Sequence, residues 1–153
     1  IPVHLAKAFS KIFKGLPYST ISLDTNYSGL VLFYQDETFD IEKRSKKIKV
    51  LLDIQFKNDL KNDEIKKITE DILSVDKNSN CAFKSSELGL ETTLYFQNSI
   101  TEILKKIDSL NIDRVLISNL DKFEIPRGNY RVLKDIEVFN FKSLSHSPNK
   151  TPR

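Results

Sequence analysis

Scarcity is the first thing to read in this 153-residue sequence: one cysteine, four glycines, two histidines and no methionine. The single Cys81 excludes an internal disulfide framework and a cysteine-rich zinc site, and it fits a reducing compartment. Gly15, Gly29, Gly89 and Gly128 stand alone, so no glycine-rich loop can cradle a phosphate, which excludes nucleotide hydrolysis and a dinucleotide fingerprint. His4 and His146 lie far from Cys81 in sequence, leaving few members for a Cys-His or Ser-His-Asp arrangement, and Cys81 reads as a small buried hydrophobe. No metal or other cofactor is expected. No run approaches the roughly 20 apolar residues of a membrane span, and no signal peptide opens the chain. With no methionine anywhere, Ile1 is not a native start, so the sequence is expected to be a piece of a longer protein.

What is present fits one domain. Hydrophobic residues make up 39% and aromatics 10%, too rich for a wholly disordered chain. The net charge is +3, and its location matters more than its size. Of 24 basic side chains, three (Lys142, Lys150 and Arg153) fall in residues 140–153, which hold no acid, leaving 21 basic against 21 acidic in the rest. A neutral globular part argues against a dedicated duplex-DNA binder, which carries a basic face. The expected organisation is a single globular domain over residues 1–141 and a disordered basic Ser/Pro tail over 142–153.

Periodicity gives the elements. "IPVHLAKAFSKIFKGL" reads as a helix with Leu5, Ala8, Phe9, Ile12 and Phe13 on one stripe and Gly15 as its stop. "YSTISLD" reads as a half-buried strand, "GLVLFYQ" as a central strand covered on both faces, and "KIKVLLDIQFK" as a strand with Ile48, Val50, Leu52, Ile54 and Phe56 inward. Together these three suggest an antiparallel meander. "NDEIKKITEDILSV" is a helix with acids in its first turn, where the helix dipole favours them. "TTLYFQ" reads as a strand; the stretch from Cys81 to Glu91 gives no clear pattern. "SITEILKKIDSL" is a helix with Ser99 and Glu102 as a capping box and Asn111 as its close. "DRVLIS" is a short strand, and "KFEIPRGNYRVLKDIEVFNF" reads as a final hairpin turned at Pro126–Asn129. The order α-β-β-β-α-β-α-β-β-β points to an α+β fold with one mixed, mainly antiparallel sheet of about five to seven strands and three helices.

Four groups of residues carry candidate chemistry. Asp24 follows the first strand and Asp53 lies in "LDIQF" on the third. With the opening order α-β-β-β-α-β, these acids make about half the chain resemble the core of the restriction-endonuclease-like superfamily. That resemblance implies a divalent metal held between two carboxylates against a scissile phosphate. Gln55 stands where that family carries lysine, and no proline precedes Asp24. The opening α-β-β-β-α order also resembles the RWD-type module of kinetochore and ubiquitin-pathway proteins, without that family's proline-containing hairpin. "KRSKKIK", residues 43–49, supplies Lys43, Arg44, Lys46, Lys47 and Lys49, a pattern suited to nuclear import or phosphate contact. The acids Asp36, Glu37, Asp40 and Glu42 just upstream neutralise much of it at a distance. Tyr95, Phe96, Phe139 and Phe141 could stack bases, but "ETTLYFQNS" has no flanking basic residue, so a partner interface or core is the better reading.

Finally, Ser147 and Thr151 are each followed by proline and then, one or two residues on, by Arg153 or Lys150, the preference of cyclin-dependent kinases. Two phosphates would add about −3 to −4 and reverse the tail's charge. The reading that follows is a non-catalytic adaptor or scaffold module of a nuclear, chromosome-associated eukaryotic protein. Its partner would be another protein subunit in a hetero- or homo-oligomer, with at most weak or indirect nucleic-acid contact and no membrane. The alternative is a restriction-endonuclease-like DNA-binding subunit, active or degenerate, in repair or recombination.

Overall fold

The computed structural model describes residues 3–21, 27–35, 48–84, 86–93 and 97–144. Its centre is a β-α-β-β-α-β unit: β4 (Lys49–Phe56), α2 (Asn62–Val75), β5 (Asn80–Lys84), β6 (Glu87–Thr93), α3 (Gln97–Lys105) and β7 (Ser109–Ile117). The strands lie in the order β7-β4-β6-β5, each antiparallel to its neighbour. Each helix therefore connects two strands with a third between them, the split β-α-β arrangement of ferredoxin-like folds. Period-two alternation in β4 decides which face the helices cover. Val50, Leu52, Ile54 and Phe56 are buried with Ile68 and Ile72 of α2 and Ile100 and Leu104 of α3, while Asp53 and Gln55 face water. Truncating Leu52 or Ile54 to alanine removes a side chain from the middle of this layer, a loss of about 3 kcal/mol.

Six further elements surround that unit: α1 (Val3–Ile12), β1 (Ser19–Ile21), β2 (Tyr27–Gly29), β3 (Leu32–Tyr34), β8 (Leu120–Asp121) and α4 (Asp135–Leu144). β2 runs parallel to β7 and makes the main sheet mixed, β8 turns back on β7, and β1 and β3 form a separate antiparallel pair. The fold is thus the α+β class expected, with one mixed, mainly antiparallel sheet and four helices in place of three. No helix among the described residues is long and apolar enough to cross a membrane.

The differences from the sequence reading have identifiable causes. "GLVLFYQ" is not one central strand. Gly29 has φ +93° and sits so close to β7 that a Cβ there would stand 2.2 Å from the Arg114 carbonyl oxygen. The chain leaves the main sheet at that point and starts β3 in the small one. Because β4 pairs with β6 and β7 rather than with β1–β3, the expected meander does not form. α3 begins at Gln97, which puts Ser99 inside the helix, and it ends before Asp108 (φ 62°), so Leu110 belongs to β7. The unclear stretch from Cys81 is the β5–β6 hairpin. The last segment is a loop and α4, not a hairpin. Asp135 and Glu137 in its first turn suit the helix dipole, and Glu137 accepts the Lys134 backbone N–H (3.0 Å), one half of a capping box.

One buried carboxylate ties α2 to the sheet. Asp76 follows the last residue of α2, and its Oδ2 accepts from the Thr93 N–H (3.0 Å) and the Thr92 hydroxyl (3.1 Å) while Oδ1 accepts from the Asn78 N–H (3.1 Å). Burial alone would push its pKa up. Hydrogen bonds from the Thr93 N–H, Ser79, the Asn78 N–H and Thr92 outweigh that and hold it below the usual value. Replacing Asp76 with alanine leaves buried donors unmet and is expected to cost about 3 kcal/mol in urea unfolding. A folded-state pKa lowered from 3.8 means this contribution is complete above that pH and fades as pH falls through the lowered value. The stability gap between wild type and Asp76→Asn is therefore expected to narrow on acidification below pH 3.8.

A candidate partner-binding groove

The elements outside the central unit build a second, smaller apolar layer. Phe9 on α1 is the hinge of it: its ring centroid lies 4.6 Å from Phe33 of β3 and 5.5 Å from Tyr130 in the loop before α4. Phe13 stacks on Tyr18 at 4.7 Å. Such pairs add about 1 kcal/mol each beyond the area they bury, so they fix α1 against the β1–β3 pair. Gln35 reinforces the joint by donating to the carbonyls of Phe13 (3.1 Å) and Pro17 (3.2 Å).

The segment from Leu120 to Leu133 faces this layer and is held by polar contacts. Lys122 pairs with Asp113 of β7, which also accepts from the Ser28 hydroxyl of β2 at 3.2 Å. Phe123 N–H closes a turn on Asp121 (3.0 Å), and His4 of α1 donates to the Gly128 carbonyl (3.1 Å). Arg131 makes a two-pronged contact with Glu137 at 2.8 and 2.7 Å. That guanidinium is the main reason the Glu137 carboxyl titrates at about 2, with the Lys134 N–H adding to it.

Between these walls lies an open groove of about 970 Å³. Leu30, Leu32 and Ile117 form part of its floor, Leu5 and Phe9 of α1 one side, and Val138 of α4 the other. Among the described residues nothing closes over its rim. Phe123 is 74% exposed, Val132 64%, and Tyr130 and Val31 are also exposed. Four basic residues line it, Lys122, Arg127, Arg131 and Lys142, against the acids Asp113 and Asp121. On α1 the lining residues are Leu5, Phe9, Ile12 and Phe13, and helical spacing puts Lys7 and Lys11 on the other side of the helix. The uncovered sheet face carries several acids: cross-strand register puts Asp53 beside Asp113, which also lines the groove, and next to Gly89, with Glu87 and Glu91 on the same face.

Of the residues singled out in the sequence, the described ones do not gather at one place. Asp53 is exposed on β4, with Asp113 in register beside it. Lys49 is half-buried on the same strand. Phe141 packs into the core from α4, whereas Phe139, on the same helix, is 66% exposed. Asp24, Lys43, Arg44, Lys46, Lys47, Tyr95, Phe96, Ser147 and Thr151 lie outside the described residues. Cys81 is half-buried on β5, and burial pushes its thiol up, away from thiolate. Among the described residues no three His, Cys, Asp or Glu side chains gather in a way that could hold a metal ion. The groove residues escaped sequence reading because Phe123, Tyr130 and Val132 fall in the stretch taken for a hairpin. The signal for them was "DIEVFNF", whose apolar residues cover both sides of a helix.

No protein-family model matches the chain, and no curated protein is detectably similar to it in sequence.

Glu137 gives a direct check on how the groove wall is held. Glu137→Gln is expected to speed amide exchange severalfold over residues 129–138 at neutral pH. With a folded-state pKa of about 2 against an ordinary 4.5, the carboxylate's contribution is complete above pH 4.5 and lost as pH falls toward 2. The melting-temperature difference between wild type and Glu137→Gln should close over that same window.

Proposed function

We propose that this chain is a non-catalytic protein–protein interaction module that receives another protein subunit in the groove between α1, the 120–133 segment and α4. The observation that carries this reading is the apolar rim: Phe123, Val132, Tyr130 and Val31 stay exposed around a cavity whose floor is also apolar. A small-molecule site buries most of its ligand within the cavity. Here the apolar surface continues outward past the cavity, as a surface covered by a macromolecule does. A nuclear, chromosome-associated setting, import through Lys43–Lys49 and phosphorylation at Ser147 and Thr151 belong to the same proposal and rest on the sequence patterns described above.

The test is affinity purification of the tagged full-length parent from its own cells, compared with Val31→Ser/Phe123→Ser. Both positions are exposed, so the double variant should melt like wild type. A stoichiometric subunit is expected to fall at least about tenfold in recovery with the groove variant, the effect of losing interface anchors worth 1.4 kcal/mol or more. It should be retained by Asp53→Asn, which is not among the groove's lining residues. Equal recovery from all three would overturn the groove as the partner site.

The nuclease alternative has one observation in its favour, the register of Asp53 against Asp113 on the uncovered face. Against it, a phosphate backbone approaching that face meets Asp53, Glu87 and Glu91 beside Asp113, whose carboxylate is paired with Lys122, and among the described strands Lys49 and Lys84 are the basic residues on that face. Branched and single-stranded DNA incubated with magnesium or manganese is expected to remain intact with wild type and Asp53→Asn alike. Cleavage by wild type alone would replace the present reading.

A further inference from the structure

We propose that a second copy of this chain packs on the outer face of α4, the two α4 helices lying antiparallel about a two-fold axis near Phe139. This contact is independent of the groove, which α4 borders with Val138 and Phe141. Apolar side chains stand on two sides of α4. Phe141 packs into the core and is 4% exposed, whereas Ile136 and Phe139 are 62% and 66% exposed. At about 100° per residue, Ile136, Phe139 and Ser143 fall on one stripe turned away from Phe141. A helix that is apolar all round is one that is covered, and among the described residues nothing covers this stripe.

Three features fit this face to itself. First, its sizes are complementary. Antiparallel pairing sets Phe139 against its own counterpart and Ile136 against the small Ser143. The Ser143 hydroxyl donates to the Phe139 carbonyl of its own helix (2.9 Å), so covering it with Ile136 strands no donor. Second, charge chooses the orientation. Asp135 and Lys142 border the stripe on one flank, seven residues apart, while Lys134 and Glu137 lie round toward the Phe141 side, Glu137 held by Arg131. Antiparallel packing brings the Asp135 end of each helix beside the Lys142 end of the other and opposes the two dipoles, whereas parallel packing brings like ends together. Third, Asn140 borders the other flank near the axis and is exposed, and its amide both donates and accepts, as pairing with its own counterpart requires. The partner this face asks for is a short helix with a central aromatic, a small residue one turn on, an acid first and a base last. α4 is that helix. Two helices about 15 Å long make a small contact, so the dimer is expected in the micromolar range.

Sedimentation velocity on the 153-residue chain from about 5 to about 300 µM reads the self-association directly. Wild type is expected to show a concentration-dependent monomer–dimer equilibrium. It should weaken at least about tenfold in Ile136→Ser/Phe139→Ser and stay unchanged in the groove variant Val31→Ser/Phe123→Ser. All four positions are exposed, so both variants should melt like wild type. Orientation is read with a short bismaleimide cross-linker in a Cys81→Ala background. Ile136→Cys mixed with Ser143→Cys should give a covalent dimer with one chain of each, and Ser143→Cys alone should give none. A wild type that stays monomeric to about 300 µM would overturn the proposal. So would a dimer indifferent to Ile136 and Phe139, or one lost in the groove variant. Cross-linking of Ser143→Cys to itself would overturn the antiparallel arrangement.

Discussion

One-sided burial of β4 is the constraint on which the other elements depend. Its alternation sends Val50, Leu52, Ile54 and Phe56 under α2 and α3 and leaves Asp53 and Gln55 to water. A central strand with a polar outer face is not suited to being sandwiched, and the described helices α2 and α3 roof the sheet on one side. α2 and α3 occupy that roof. The apolar residues of α1, β3 and the 120–133 segment must find their own partners at the β7 end, and they do so around Phe9. That second layer is small and incompletely closed, and the groove is the part left open.

Gly29 and Asp113 connect the two layers. Gly29 lets β2 lie against the Arg114 backbone and then turn the chain out toward β3, which no residue with a Cβ could do at that spacing. Asp113, one residue before, holds Ser28 on one side and Lys122 on the other. The sheet edge, the chain reversal and the groove wall thus share two adjacent residues of β7. Acids collect on the uncovered sheet face, while charges around the groove are largely matched, Lys122 by Asp113 and Arg131 by Glu137.

The sequence showed most where a single period governed a long segment. The five inward positions from Ile48 to Phe56 and the helix from Asn62 to Val75 were legible because strand and helix periods there are unambiguous. Reading failed where a long-range contact outweighed local pattern. Nothing near "GLVLFYQ" announces that Arg114, 85 residues away, takes Gly29 as its neighbour. "KDIEVFNF" alternates well enough to pass for a strand, and only the Arg131–Glu137–Lys134 contacts turn it into a helix start. That one exchange moved Phe141 into the core, left Phe139 outside, and hid the groove. Of the aromatic residues expected at a partner interface, Phe141 is in the core and Phe139 is exposed on α4, outside the groove lining.

Hydrogen–deuterium exchange on the full-length parent, alone and in the complex purified from its own cells, tests the central claim most directly. The account predicts that complex formation slows exchange in residues 28–35 and 120–133 and in the first turns of α1 and α4, with β5 and the uncovered face of β4 and β6 unchanged. Protection confined to β5 or to the strands bearing Asp53, Glu87 and Glu91, with the groove segments exchanging as freely as in the isolated protein, would contradict it.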